Sequence, residues 1–272
     1  MLDIGPENLR TGGAAASRRR TSIDTSSLIA PLGGASRAAE IADRVTEAIH
    51  LGLLVDGERL PAEIEFAQSL GVAPMTLRES IALLRERGLV ETRRGRSGGT
   101  FVRRDLEPPT EPDAARLMSI SVGALRDLAD EQIAISAMTA RLAAERATAH
   151  DVRRIEMLAG RLEAAATRGA RIKSDSRFHV EIAIATRSER LLRREVALQA
   201  ESVGMLWLPS GDAAEDAAMV ERTAAEHQRI AQAIREESGE TAHAAAIHHA
   251  RENLRRLAGL RQALVEKEGS PA

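Results

Sequence analysis

The amino-acid sequence predicts a mainly α-helical protein in two parts, in which short helices and a β-hairpin precede an all-α helical bundle. Aromatic residues are scarce, with three Phe, one Trp and no Tyr, so the core must be aliphatic and alanine-rich, which favours packed helices. Strand-forming residues flank a glycine-rich turn within residues 89–104. Beyond a proline-rich stretch, residues 115–266 show helical periodicity throughout.

Composition excludes several classes of protein. The 272 residues suffice for one large domain or two ordinary ones, and a hydrophobic content of 43% suffices for a packed core. The absence of Cys excludes disulfides, thiolate metal sites and a cysteine nucleophile, and it suits a reducing cytoplasm, which is the predicted location. No apolar run reaches membrane-spanning length, so we predict no membrane partner.

Shifts in composition divide the chain into five segments. Residues 1–34 are rich in Gly, Ala, Ser and Arg and are predicted to form a disordered arm. Residues 35–104 are predicted to form the first folded domain, and clustered prolines mark residues 105–114 as a linker. Residues 115–266 are predicted to form the helical bundle, and residues 267–272 a tail.

The first domain reads as three short helices and a hairpin. Apolar residues recur at helical spacing from Ala38, and the stretch "AEIEFAQSL" carries a second helix that Gly71 ends. Pro74, a favourable first-turn residue, begins a third helix that runs to Gly88. In "LVETRRGRSGGTFVRR", β-formers flank a Gly-rich turn. This order of elements predicts an N-terminal winged helix-turn-helix domain whose hairpin is the wing.

The charge of this domain predicts double-stranded DNA as a partner. Residues 85–104 contain seven Arg and two Glu, an excess of five positive charges that suits phosphate binding. A solvated charged surface is the alternative, which the combination of helix-turn-helix pattern and basic hairpin disfavours. The predicted DNA contacts lie near the start of the third helix and at the tip of the hairpin, and they are Thr76, Arg78, Arg94, Gly95 and Arg96.

The second domain is predicted to be one bundle of roughly five to seven helices. Breaks are expected near His150–Asp151, near Arg168–Ala170, at Ser188, in "WLPSGD" (207–212) and in "ESGE" (237–240).

Three histidines and an aspartate in this bundle are candidate metal ligands. Asp175 and His179 lie four residues apart and share one helix face, although such a pair alone is more simply explained as two solvated polar side chains on a helix surface. His227 and His249 each lie eleven residues from Ser238, so an antiparallel helical hairpin places them at equal height. The four side chains suit a divalent Zn²⁺, Ni²⁺ or Mn²⁺ ion. Spacing alone leaves ordinary hydrogen-bonded interior histidines open as the alternative.

The stretch "GERLPAEIEFAQSLGVAPMTLRESIALLRERGLVETRRGRSGGTFV" resembles the GntR family of bacterial transcription regulators. It carries LP-x-E, LGV, LRE, RGLVE and RG-x-x-GG-x-FV in the family's order. Residues 115–265 resemble the all-helical effector domain of the FadR-type branch of that family. There, "DSRFHVEIAIATRSERLL" is similar to the D-x-x-FH helix and "EHQRIAQAI" to the second histidine helix, and the 22-residue gap from His227 to His249 is similar to the family's gap to its last metal histidine.

The resemblance implies a homodimer that binds a near-palindromic DNA operator. It also implies a divalent metal ion bound by Asp175, His179, His227 and His249, with a small organic acid as the effector beside it. We therefore expect a ligand-responsive transcription regulator and not an enzyme.

The chain departs from the family pattern on the predicted DNA-contact surface. Ala73 and Pro74 stand where members often carry Ser-Arg, and Ile64 stands where FadR-type members often carry Arg. The operator is therefore expected to differ from the usual one. Pro74 at the first helical position compensates for the absent capping serine.

The effector domain departs from the pattern as well. Gln132 stands where an Arg is common, and we predict it to be a residue of the effector pocket; Ser136 and Ser188 replace a common Glu and a common Asn. Because the absence of this Arg weakens the grip on a carboxylate, a DNA-binding dimer with a vestigial or purely structural pocket stays open as an alternative. A metal-dependent hydrolase is disfavoured because no general base stands out near His179.

Overall fold

Ten helices and one two-stranded antiparallel sheet make up the part of the chain that the computed structural model describes, residues 36–95, 98–103 and 107–269. The elements are α1 (Arg37–His50), α2 (Glu63–Ser69), α3 (Pro74–Glu86), β1 (Val90–Arg93), β2 (Gly99–Val102), α4 (Glu111–Ser119), α5 (Val122–Arg146), α6 (Ala149–Ala159), α7 (Arg168–Ala185), α8 (Glu189–Leu206), α9 (Ala213–Arg235) and α10 (Gly239–Gly269). The predicted fold class, mainly α with a winged helix-turn-helix, is confirmed. The predicted arm at 1–34, Arg96 and the end of the predicted tail lie outside the described residues.

Helices α1, α2 and α3 pack around one apolar core and carry the hairpin at their side. The buried face of α1 presents residues at helical spacing, among them Ile41, Val45 and Ile49, which share one apolar cluster with Phe66 of α2 and Leu77 of α3. In the hairpin, Val90 pairs with Val102 and Arg93 with Gly99. Helix α3 begins at Pro74 and has Arg87 as its C-cap, and Gly88 takes the left-handed conformation (φ 71°) that ends it.

The bundle is formed by α4 to α10, and the long helices α5 and α10 make its most extensive helix–helix contact. Helix α7 packs against α5, α6 and α8, so it lies in the interior. Two aliphatic clusters fill the bundle, one of them around Phe178, Ile182, Ile230 and Ile234. No helix within the described ranges is long and apolar enough to cross a lipid bilayer.

Several helix boundaries of the bundle differ from those expected from the sequence. Helix α4 begins at Glu111, inside the segment predicted as a linker, with Pro112 in its first turn. The break expected near His150–Asp151 lies at Ala147–Thr148, because Thr148 and Asp151 form a capping box. The break expected at Arg168–Ala170 is the start of α7, which Thr167 caps.

The DNA-binding part and the bundle are joined by packed and polar contacts at α7. Leu51 and Leu53, which follow α1, belong to the same buried cluster as Ile172 of α7. Lys173 Nζ lies 2.6 Å from Asp56 Oδ1, and Arg177 donates to the Gly52 carbonyl at 3.1 Å. Gly52 has φ 67°, and a Cβ there would lie only 3.2 Å from the Lys173 Cβ. Close approach to α7 therefore requires glycine at this position.

Candidate functional site

Four buried side chains converge between α7, α9 and α10. Asp175 and His179 come from α7, His227 from α9 and His249 from α10, and one donor atom of each lies within 4.8 Å of the others. Asp175 Oδ1 lies 3.2 Å from His227 Nε2 and 3.5 Å from His179 Nε2. His179 Nε2 lies 3.1 Å from His249 Nε2. The structure thus brings together all four of the residues that the sequence predicts as metal ligands.

The hairpin of α9 and α10 explains how residues far apart in the chain meet. The chain turns at Glu236–Ser238, and the rings of His227 and His249 lie 5.0 Å apart, centroid to centroid. His248, one residue earlier on α10, points away and has a side chain 54% exposed. The predicted equal height of His227 and His249 therefore holds in the structure.

Neighbouring side chains orient the four candidate ligands. The Trp207 indole donates to Asp175 Oδ2 at 2.8 Å. Glu226 Oε2 lies 2.8 Å from His249 Nδ1, so that nitrogen carries the proton. His249 Nε2 is then the acceptor, and it lies 3.1 Å from both His179 Nε2 and Asn253 Nδ2. Phe178 stacks on the His227 ring with centroids 4.1 Å apart. Fixed orientations of this kind are what metal-binding histidines require.

Unsatisfied polar atoms within the cluster test whether a metal ion fits. Among the described residues, Asp175 Oδ1 and both ring nitrogens of His227 are buried without a hydrogen-bond partner, because the 3.2 Å approach between them lacks hydrogen-bond geometry. Each such atom costs about 1–3 kcal/mol when buried. A divalent cation would satisfy the carboxylate oxygen and one nitrogen of His227 together. The donor set, three imidazoles and one carboxylate, fits Zn²⁺, Ni²⁺ or Mn²⁺.

Electrostatics prepare two of these groups to act as ligands at neutral pH. Burial alone would raise the pKa of Asp175, but His179 and His227 beside it hold that pKa well below its usual range. Burial lowers the pKa of His227 to about 4, although Asp175 opposes the shift. For His179, burial is outweighed by Asp175 and by the charge of Glu195, so its pKa is raised. A metal ion must therefore compete with a proton for His179 more strongly than it would for an ordinary histidine.

The space beside the cluster is small. A cavity of about 10 Å³ is lined by Ser136, Thr139, Ala140, His179, Ile182, Glu195, Ile230, Ala246 and His249. This volume holds about one water molecule. The buried Glu195 carboxylate accepts hydrogen bonds from Ser136 Oγ at 3.0 Å and Gln199 Nε2 at 3.1 Å. Gln132, the predicted pocket residue, is buried one turn before Ser136 but does not line this cavity.

The predicted DNA-contact residues of α3 lie at its N-terminal end. Thr76 is half-buried in the first turn, and the Arg78 side chain is 60% exposed. Arg78 Nε lies 2.7 Å from Glu63 Oε2 of α2, an exposed ion pair that ties the two helices together at the surface. Exposed pairs of this kind stabilise little, about 0–1 kcal/mol, so Arg78 is available to a stronger anionic partner.

The wing presents Arg94 and Gly95 to solvent at the turn of the hairpin. Gly95 has φ 104°, a conformation that side chains rarely adopt, and it leaves the backbone open to close approach. Arg93 is held against the hairpin, with its guanidinium 4.6 Å from the Phe101 ring centroid and its Nη2 2.5 Å from Glu91. Arg96, also predicted to contact DNA, lies outside the described residues.

Comparison with known proteins assigns both domains. Residues 37–102 match the family described as bacterial regulatory proteins, gntR family, and residues 127–252 match the FCD domain. RmpR of Mycobacterium gastri, named as an HTH-type transcriptional regulator, is 44% identical over 236 residues, which are 87% of this chain and 85% of that protein. The chain belongs to the GntR family. The expectation of a transcription regulator that is not an enzyme is thereby confirmed.

Other GntR-family likenesses are more distant. A protein of Escherichia coli K12 named for regulation of the L-lactate dehydrogenase operon is 37% identical over 160 residues, 57% of this chain and 60% of that protein. The solved structure of E. coli McbR/YncC has a TM-score of 0.49 and 16% identity, covering 83% of this chain and 98% of its own.

Three residues outside the predicted set complete the site of this GntR-family protein. Glu226 directly precedes His227 in the sequence but orients His249 of α10, a contact that sequence adjacency does not predict. Trp207 is the single tryptophan and precedes the break after α8, but the sequence does not show that it reaches Asp175. Glu195 meets Ser136 across 59 residues of chain and has no local signal.

The affinity of the metal-free protein for Zn²⁺ is expected to fall with pH once the pH drops below the pKa of His179. That pKa is raised above 6.5, and one proton must leave His179 before its nitrogen can bind metal. Affinity should therefore fall about tenfold per pH unit below this pKa and level off above it. Competition with a calibrated zinc chelator between pH 5.5 and 8.5 measures the slope. A flat profile would contradict the expected proton displacement, and His248→Ala should leave the profile unchanged.

Proposed function

We propose that this GntR-family chain is a homodimeric, ligand-responsive transcription regulator whose helical domain binds a divalent metal ion and a small organic acid that modulates operator binding. One observation carries the proposal. Helix α7 bears Asp175 and His179 of the buried cluster, and it also bears Lys173 and Arg177, which hold the DNA-binding domain. A single helix thus belongs both to the candidate sensing site and to the interdomain contact.

The DNA-binding half of the proposal follows from exposure and charge. The first turn of α3 is placed to enter the major groove, where Thr76 and Arg78 meet base edges and phosphates, with a phosphate contact favoured for Arg78. Arg94, Gly95 and Arg96 of the wing supply charge and close backbone approach to the phosphates. Two copies of this head, related by a dimer axis, suit a near-palindromic operator.

The sensing half rests on the fit of the donor set to a metal ion. Asp175, His179, His227 and His249 would hold the ion, which when bound supplies Lewis-acid coordination for a carboxylate. Its positive charge would also offset Asp175 and the buried Glu195, which otherwise repel an acid. The relative named for the L-lactate dehydrogenase operon supports a small acid as effector, since lactate is one.

The small cavity suggests how an acid would act. With room for about one water molecule, the site admits an acid only if α5 and α8 move relative to α7, and Gln132 is then proposed to reach the effector. Movement of α7 reaches the linker as well, since Glu107 Oε1 accepts from the Gly169 N–H at 2.9 Å and Arg168 donates to the Pro108 carbonyl at 3.0 Å. Effector occupancy would therefore shift the DNA-binding heads.

Removal of the interdomain ion pair, with Asp56→Ala and Lys173→Ala together, is expected to uncouple the two halves. Coupling between sites usually changes affinity by about five- to 150-fold, and the double variant should lose most of that effect while binding Zn²⁺ as the wild type does. Fluorescence anisotropy with an operator obtained by in vitro selection measures operator affinity. The titration is done with and without Zn²⁺, and with L-lactate and related acids.

A matched control removes the exposed pair formed by Glu156 of α6 and Arg235 of α9, neither of which takes part in the contacts between α7 and the first domain. This variant should respond to metal and acid as the wild type does. If the Asp56 and Lys173 variant also responds fully, α7 does not carry the signal. The closed cavity favours one second candidate function, a DNA-binding dimer whose metal is purely structural. This second function would be supported if the metal-bound wild type binds the operator with the same affinity in the presence of every acid.

A further inference from the structure

Large apolar side chains are exposed at the starts of both helices of the helix-turn-helix. Ile64 is 63% exposed and Met75 is 61% exposed, and each is the second residue of its helix, α2 and α3 respectively. Ala73 and Pro74 beside Met75 are exposed as well. The core of this domain is filled by other residues, among them Phe66 and Leu77, so neither Ile64 nor Met75 is needed for folding.

Helical spacing and one ion pair place both apolar residues near the predicted DNA contact Arg78. Met75 and Arg78 are three residues apart on α3, so they are neighbours on one face. Arg78 is paired with Glu63, and Glu63 directly precedes Ile64 on α2. Ile64, Met75 and Arg78 therefore belong to one exposed surface of mixed character, apolar at the helix starts and cationic beside them.

This combination suits particular base pairs of double-stranded DNA. In the major groove, the C5-methyl group of thymine is the apolar feature among base edges that otherwise present hydrogen-bond donors and acceptors. An isoleucine or methionine pressed against a guanine or cytosine edge leaves those polar groups unpaired, which is unfavourable. Against a thymine methyl the same side chain gains apolar contact.

We propose that Met75 and Ile64 read thymine methyl groups, so that each operator half-site carries thymines at the base pairs that face the starts of α3 and α2. Arg78 leaves Glu63 on binding and takes the adjacent phosphate. The inference rests on the proposed function, because it requires operator binding. It adds which bases the operator presents and which two residues select them.

Thymine replacement tests the proposal directly. Full-length, zinc-loaded protein is used to select binding duplexes from a random pool, and each thymine of the selected half-site is then replaced by deoxyuridine, which removes only the methyl group. Without one buried methyl group, wild-type binding should weaken about fourfold at one or two positions per half-site. In the Met75→Ala and Ile64→Ala variants, the loss of affinity caused by deoxyuridine should fall below about twofold at the thymine that the replaced side chain contacts. Met75→Leu should show the same loss of affinity as the wild type.

Arg94→Ala serves as the matched control, since removal of a phosphate-binding arginine from the wing should weaken binding to all duplexes alike and leave the deoxyuridine penalties unchanged. Penalties that stay the same in the Met75→Ala and Ile64→Ala variants would overturn this inference while leaving operator binding intact. Selected half-sites without thymine at the sensitive positions would overturn it too. Failure of the wild type to select any sequence would overturn the proposed function and this inference together.

Discussion

Replacement of both His227 and His249 with alanine is expected to reduce bound metal from about one ion per chain to less than a tenth of that. The two imidazoles come from α9 and α10 and are buried, and their removal takes away half of the donor set. Asp175 and His179 alone leave two donors on one helix. Elemental mass spectrometry of protein loaded with Zn²⁺ and desalted measures the content.

The control for this experiment replaces two histidines that lie outside the cluster. His243→Ala with His248→Ala also changes two histidines, both of them on α10 and one with a side chain 54% exposed, and this variant should retain full metal content. Asp175→Asn, which keeps the shape of the side chain and removes its charge, should lose metal without leaving a cavity. Equal metal content in all of these proteins would show that the cluster binds none.

Removal of metal from the wild type is expected to lower its melting temperature by roughly 8–16 °C. A ligand present at about a thousand times its dissociation constant stabilises the folded state by about 4 kcal/mol, and for a domain of this size each kcal/mol shifts the midpoint by roughly 2–4 °C. The physical source is the set of buried atoms on Asp175 and His227 that have no partner without the ion. Differential scanning calorimetry of protein refolded in chelator and then with Zn²⁺ checks the shift.

The His227→Ala and His249→Ala double variant provides the comparison. It should melt at one temperature with and without Zn²⁺, because two of its four donors are gone. A zinc-dependent shift of the same size in this variant would mean that the stabilising ion binds elsewhere in the chain. An unchanged wild-type midpoint would mean that the unsatisfied atoms are accommodated without metal.

Local signals in the sequence are enough to predict the elements of the DNA-binding part. Pro74 begins α3, glycines in the left-handed conformation follow α2 and α3, and apolar spacing defines the buried face of α1. Boundaries in the bundle are harder to predict, because Thr148 and Thr167 act as caps whose effect depends on the backbone that follows them. The early start of α4 has a different cause, because the proline two residues after Thr110 is compatible both with a linker and with a first helical turn.

For the candidate site, sequence spacing predicts which residues meet but not how their side chains are oriented. Spacing within one helix relates Asp175 to His179, and equal arms around a turn relate His227 to His249. The orientation of those rings depends on side chains that spacing does not specify, such as Trp207 on Asp175 and Glu226 on His249. The size of the cavity depends on packing between α5, α7 and α8, which no local pattern of residues determines.

The burial of all four candidate ligands also concerns how long an ion would stay. Each side chain is at most 7% exposed, and the cavity that His179 and His249 line holds about one water molecule. An ion held there would leave only as often as the surrounding helices separate, however strong the chelator outside. The rate of local opening of the helical bundle would therefore set the residence time of the ion. Such a protein would retain the metal acquired when it folded.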